Sequence, residues 1–211
     1  MSNSQLPADL TVVVGRQFGS GGRRIGRRLA ARLGLTYYDK EVLSEASQRF
    51  GFSQTIFARY DEKRPSAIRS FLSNAFGVPD SYMQNAMSCE SIYAAQSRVI
   101  SELADEGGCV FVGRSADYIL RHRPNLISIF LHAPAEARAR ELLERGEVGS
   151  LADGLERARR LDRRREEYYN YFTGRQWGKA DNYHLSVDTS VMDDDSIIDL
   201  ILRYIAARYK K

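Results

Sequence analysis

Leu10 to Gly26 reads LTVVVGRQFGSGGRRIG, an apolar β-branched run that passes into a glycine cluster and then into a helical pattern. The strand Leu10–Val14 has no polar face, which predicts a central parallel strand covered on both sides. The glycines at 15, 19, 21 and 22 let the backbone turn tightly and come close to a ligand. From Arg23 the spacing Ile25, Leu29, Ala30, Leu33 is helical. The glycines therefore end at a helix N-terminus, where free N–H groups and the helix dipole favour an anion. Strand, loop and helix start together predict a phosphate cradle built from Gly19, Ser20, Gly21, Gly22, Arg23 and Arg24. The plain alternative is a glycine-rich turn that binds nothing, and the arginines at 16, 23 and 24 argue against it.

Two nucleotide motifs compete for this loop, and spacing separates them. The dinucleotide fingerprint G-x-G-x-x-G, started at Gly19, would need its third glycine at Arg24 and fails. The sequence G-x-x-x-x-G-K-[ST] also fails strictly. With Gly21 as its last glycine, the lysine position holds Gly22 and the hydroxyl position Arg23. The reading is a phosphate loop without its lysine.

A chain of 211 residues is long enough for one substantial core, or for a core plus a small lid. Its 43% hydrophobic and 27% charged content is that of an ordinary globular protein. The formal charge is +4, and 26 of the 31 basic residues are arginine, the better fork for phosphate. Cys89 and Cys109 lack a CxxC partner and read as buried free thiols. No signal peptide precedes Leu10 and no apolar run approaches a membrane span, so a cytoplasmic protein with no membrane partner is expected.

Gly34 should stop the first helix, and Leu35–Tyr38 reads as a second strand ending at Asp39, on the edge where open α/β sheets bind ligands. Asp39 would also cap the helix predicted over Lys40–Phe50. Residues 51–79 carry a weaker helical signal. They read as an acceptor-binding flap or as a packed hairpin or homodimer surface, with Arg69 among the available phosphate ligands. A long helix over Ser81–Glu106 leads to the strand Cys109–Val112, which delivers Gly113-Arg114-Ser115-Ala116-Asp117 to the same edge. Asn125–Leu131 supplies a fourth strand, and Pro134 opens a helix running through Arg145. Residues 150–180 read as an arginine-bearing lid. Asp162 and Arg165 share one face while Arg157, Arg160 and Arg164 form another stripe; Gly174 and Gly178 would be hinges. A fifth strand, Tyr183–Asp188, and a helix over Asp193–Tyr209 close the chain. Five strands alternating with helices predict one doubly wound α/β domain spanning 1–211.

The order of these features resembles the nucleoside monophosphate kinases, and specifically the cytidylate kinase-like family. The likeness is carried by Arg16-Gln17-Phe18-Gly19-Ser20-Gly21-Gly22, Ile25-Gly26, Tyr38-Asp39-Lys40, Gly113-Arg114-Ser115-Ala116-Asp117, Phe130-Leu131-His132-Ala133-Pro134, Asp162-x-x-Arg165 with Tyr168-Tyr169, and Tyr183 through Ser190. It implies a three-layer P-loop NTPase fold: a five-stranded parallel sheet with helices on both faces and a helical lid. It also implies ATP phosphates on Gly19–Arg24, with Mg²⁺ held through water and phosphates. The acceptor would lie near Asp39, Arg69, Arg114 and Asp117, with Arg160, Asp162 and Arg165 as the catalytic set. The chain departs from the cytidylate kinase pattern G-x-G-K-G-T and G-R-D: Gly22 stands for the lysine, Arg24 for the threonine and Ser115 for the aspartate.

The first functional expectation is ATP-dependent phosphoryl transfer to a nucleoside monophosphate or a related phosphorylated metabolite. In it Arg23 or Arg24 supplies the missing charge and Asp162 orients Arg165. The second is a nucleotide-binding regulatory protein without turnover. A nucleic-acid-binding protein rests only on the arginines of 157–165, and none of the usual signatures accompanies them.

Overall fold

The computed structural model describes residues 6–46 and 89–210. Its elements alternate as expected for parallel strands joined by helical crossovers. They are β1 (Thr11–Arg16), α1 (Gly22–Leu33), β2 (Thr36–Tyr38), α2 (Lys40–Ala46), α3 (Cys89–Asp105), β3 (Cys109–Val112), α4 (Ala116–Ile119), β4 (Leu126–His132), α5 (Ala135–Glu144), α6 (Leu151–Thr173), β5 (Leu185–Asp188) and α7 (Asp194–Tyr209), with a short 3₁₀ turn at Ala180–Asn182. The expected 51–79 segment, and Arg69 with it, lie outside the described residues.

The sheet order is β2-β3-β1-β4-β5, and every pairing is parallel. Alternating residues of the apolar strands face opposite layers. Val12, Val14, Val110 and Val112 join Ile25, Leu29, Ile197, Ile198 and Ile201 on the α1/α7 side. Val13 and Phe111 join Val99, Ile100 and Leu103 on the α3 side. These side chains are withdrawn from solvent on both faces, as the absence of a polar face in β1 predicts.

The order fixes where a ligand can sit. β1 leads through α1 to β2 beyond β3, whereas β3 leads through α4 to β4 on the far side of β1. The two crossovers leave in opposite directions, and a crevice opens between the carboxyl ends of β1 and β3. The glycine loop and the turn beginning at Gly113 are its walls.

Several boundaries differ from the sequence reading. Pro134 is the residue before α5 rather than its first turn, and one helix, α6, takes up the expected lid from Leu151 to Thr173. The aromatic residues near its end pack on the helix and against α3. Tyr93 of α3 stacks on Phe172 with centroids 4.3 Å apart, and Tyr168 lies 4.8 Å from Phe172. Gly174 ends α6 in the left-handed conformation, at φ 66°.

Candidate active site

The loop between β1 and α1 is pinned from three sides. Gln17 donates its N–H to the Leu131 carbonyl at 2.9 Å, and its side-chain oxygen accepts from Ala133 N–H at 3.1 Å. Ser20 donates its hydroxyl to the carbonyls of Gln17 (2.9 Å) and Leu131 (3.2 Å) and so braces the loop. Gly19 and Gly21 have φ of 82° and 76°, conformations that an L side chain resists. A Cβ on Gly19 would also come within 2.9 Å of the Arg138 carbonyl. No side chain caps the start of α1, so its first N–H groups are oriented toward whatever lies on the loop.

A cavity of about 1150 Å³ opens over this loop. It is lined by Arg16, Arg23, Arg24, Arg27, Arg28, Lys40, Arg114, Arg145, Arg164 and Arg165 against the carboxylates Asp39, Glu41 and Glu147. Such a surplus of cations concentrates an anionic ligand. A second cavity of about 430 Å³ flanks the loop, and it shares Gly19, Gly21 and Arg24 with the first.

Asp39 caps α2 and stands on the cavity wall. It is buried and accepts from the N–H groups of Glu41 and Val42, both at 3.2 Å. Arg23 and Arg27 approach its other oxygen at 4.0 and 3.7 Å. The loop arginines are engaged with acids. Arg23 pairs with Glu41, which raises its pKa. Arg24 binds Asp194 at 2.5 Å and also pairs with Glu141, and its pKa is raised by the same hydrogen bonds.

After β3 the backbone is strained. Gly113, Arg114 and Ser115 have φ of 79°, 63° and 53° in succession, two of them non-glycine residues in a region that costs about 1–2 kcal/mol per residue. The strained turn places buried Arg114 on the cavity wall, where Gln96 hydrogen-bonds both its guanidinium (3.4 Å) and its carbonyl (3.2 Å). Asp117 goes the other way. It does not line the cavity but accepts from Tyr169 Oη at 2.7 Å in the interior. Burial pushes its carboxyl up to about 6 despite that hydrogen bond.

The lid residues divide by helix edge. Ala158, Leu161, Asp162 and Arg165 repeat at helical spacing along the inward side of α6, so Leu161 and Arg165 reach the cavity while Arg160 is exposed and does not line it. Arg164, from the other expected stripe, does line it.

Arg165 donates to Asp162 at 3.3 Å, but the shorter bonds of Asp162 lead elsewhere. One oxygen accepts from Phe18 N–H at 2.7 Å and the other from Arg138 at 2.6 Å. Burial raises the Asp162 pKa, and the Phe18 N–H and the two arginines oppose that rise. Arg138 is itself buried, and it donates to the carbonyls of Ala133 (3.0 Å) and Phe18 (2.9 Å). The guanidiniums of Arg157 and Arg165 each lie 5.4 Å from the Phe18 ring centre. Loop, α5 and lid therefore form one hydrogen-bonded unit. Sequence reasoning missed Arg138 and Arg145; the four-residue spacing Pro134, Arg138, Leu142 marked Arg138 as inward-facing.

Among the described residues no group of three or more His, Cys, Asp or Glu side chains could hold a metal ion, and the Ser20 hydroxyl is turned to carbonyls. A Mg²⁺ ion carried on nucleotide phosphates and water would need no such group. Among the same residues no helix is long and apolar enough to cross a membrane.

The fold is shared with solved structures, two of them kinases. An uncharacterized protein from Eubacterium ventriosum ATCC 27560 is 24% identical, with a TM-score of 0.69 over 93% of this chain and 98% of that one. Shikimate kinase from Acinetobacter baumannii, solved in complex with shikimate, is 17% identical, with a TM-score of 0.52 over 98% and 96%. A gluconokinase from Sinorhizobium meliloti 1021 is 17% identical, with a TM-score of 0.51 over 96% and 95%. These likenesses establish the α/β P-loop kinase fold. No curated protein sequence matches. The profile of the cytidylate kinase-like family matches residues 11–191, a span that holds all five strands and α6, and the chain belongs to that family.

Proposed function

We propose that this protein is an ATP-dependent phosphotransferase acting on a nucleoside monophosphate, cytidylate-like, or on a related small phosphorylated metabolite. The observation that carries this reading is the cation-rich cavity of about 1150 Å³ lying directly on the glycine loop at the sheet's switch point. Its volume exceeds the roughly 300–1,000 Å³ of an ordinary single-ligand pocket, which suits a donor polyphosphate and an acceptor side by side. The smaller cavity meets it at Gly19, Gly21 and Arg24. A polyphosphate on the loop then has room for its nucleoside on one flank and the acceptor on the other.

Phosphoryl transfer asks of the protein mainly alignment, exclusion of water and positive charge on the transferring group. The loop N–H groups hold the donor phosphates. Arg165, steadied by Asp162, closes over the transferring phosphoryl group, with Arg164 and Arg145 beside it. Arg114 grips the acceptor's own phosphate, and Asp39 positions the acceptor from the end of β2. Mg²⁺, when bound with the nucleotide, supplies further charge neutralisation on the phosphates.

The test is turnover of ATP against a panel of nucleoside monophosphates, with and without Mg²⁺, beside an Arg165→Ala variant. Turnover with one acceptor, reduced about 10³-fold in the variant as expected for an arginine finger, supports the reading. ATP binding with no acceptor phosphorylated, in this panel and in a metabolite extract, favours a regulatory nucleotide-binding protein instead.

A further inference from the structure

The lysine missing from the loop has a replacement at an unexpected position. In G-x-x-x-x-G-K the first glycine stands six residues before the lysine. Here those two positions are Arg16 and Gly22, so the glycine and the cation have changed places.

The structure shows what the exchange accomplishes. Arg16 ends β1 and lines the larger cavity. Its stem crosses the first residue of α1, where a Cβ on Gly22 would lie 2.5 Å from Arg16 Cγ and 2.6 Å from Arg16 Cβ. Its guanidinium reaches the turn after β3, where a Cβ on Gly113 would lie 2.7 Å from Cζ and 3.1 Å from Nη2. Both glycines thus leave the volume that the arginine occupies. A lysine at 22 and the observed Arg16 conformation exclude each other. The guanidinium lies against the turn after β3, and Arg16 lines the cavity that opens over the loop.

We propose that Arg16 is the phosphate-binding cation of this loop and does from β1 what the lysine does from α1. The inference rests on reading the loop as a polyphosphate site. It assigns a catalytic residue that the motif does not mark, and it explains why a loop without lysine retains a phosphate ligand. A planar guanidinium also brings a two-pronged donor in place of a point charge.

Binding of tripolyphosphate and of ATP, each measured by calorimetry, tests this. The proteins are wild type, Arg16→Ala, Arg16→Lys, Arg23→Ala and the exchange variant Arg16→Gly/Gly22→Lys, each checked for folding by circular dichroism. Arg16→Ala is expected to weaken both probes about 10- to 100-fold, as for loss of a charge-assisted bond. Arg16→Lys should lose less, Arg23→Ala less than Arg16→Ala, and the exchange variant should regain at least tenfold over Arg16→Ala. A loss under about twofold in Arg16→Ala, or equal losses in Arg16→Ala and Arg23→Ala, overturns the proposal, because the charge would then act only as part of the general field. Binding of tripolyphosphate but not of ATP by the wild type overturns the ATP reading alone, and the variants still decide the role of Arg16. Binding of neither overturns both.

Discussion

Removing the Asp162 carboxylate should uncouple the phosphate loop from the lid at a measurable cost in stability. In Asp162→Ala, Arg138 loses its 2.6 Å partner and Phe18 N–H loses its 2.7 Å acceptor. The two side chains are only 7% and 13% exposed, so solvent screens this pair little. Breaking a buried ion pair from one side costs about 3–5 kcal/mol. Arg138 keeps the Ala133 and Phe18 carbonyls, which holds the charge term near the lower end, at about 3 kcal/mol. The stranded Phe18 N–H adds roughly 1 kcal/mol. The expected total is about 4 kcal/mol, or on the order of 8–16 °C in Tm for a chain of this size. Asp162→Asn keeps an acceptor for Phe18 but not the charge, and should fall between the two. Urea unfolding of wild type, both single variants, Arg138→Met and Arg138→Met/Asp162→Ala is the assay. The double variant should be more stable than Asp162→Ala, since no buried charge is left alone. A loss below 1 kcal/mol in Asp162→Ala, or strict additivity in the double variant, would refute the account of the pair.

Two further outcomes follow from the site. Gly19→Ala combines a φ of 82° with a Cβ 2.9 Å from the Arg138 carbonyl, so it should weaken ATP binding at least tenfold while the mild change Ala31→Ser on exposed α1 surface does not; equal binding in both would show the loop to be more pliable than described. Asp117 has a folded pKa of about 6 against an ordinary 3.8. Its contribution to stability is therefore fully present below about pH 4, falls as pH rises toward 6 and is flat above. At 1.36 kcal/mol per pKa unit the span is about 3 kcal/mol. Asp117→Asn, which still accepts from Tyr169, should gain up to that amount over wild type at pH 8 and little at pH 3.5, read as the difference between urea midpoints. A difference that does not change with pH would place the Asp117 carboxylate in a more polar setting than its burial indicates.

The strands, the loop and the strand-end residues Asp39 and Arg114 were legible because their signals are local: apolar runs, a glycine cluster at a helix start, a polar residue just past a strand. The structure shows Asp39 capping α2 at the end of β2, on the wall of the larger cavity. What depended on distant packing was not legible. Arg160 and Arg165 both stand on α6, but the edge that faces the loop is set by Ala158 seating against the core, and that choice brings in Arg164 and Arg165 and leaves Arg160 outside. Arg138 was passed over because an arginine in an amphipathic helix normally faces solvent; here carbonyls of the loop and the Asp162 carboxylate satisfy it inside. Asp117 shares a short motif with Arg114, yet after the left-handed turn at Arg114 and Ser115 only Arg114 lines the cavity, while Asp117 is bound to Tyr169 in the interior. The path of Arg16 over Gly22 and Gly113 joins residues almost a hundred positions apart, a distance that no motif spacing encodes.

The central claim is transfer of a phosphoryl group, and a single-turnover reaction with γ-³²P-labelled ATP tests it most directly. Enzyme in excess over nucleotide is mixed with a candidate acceptor, quenched over time and resolved chromatographically. The account expects the label to leave ATP and appear on the acceptor, with Arg165→Ala slowing that transfer and leaving nucleotide affinity nearly unchanged. Label that remains on bound ATP with every acceptor, or that appears only as inorganic phosphate at the same rate whether or not an acceptor is present, would contradict it.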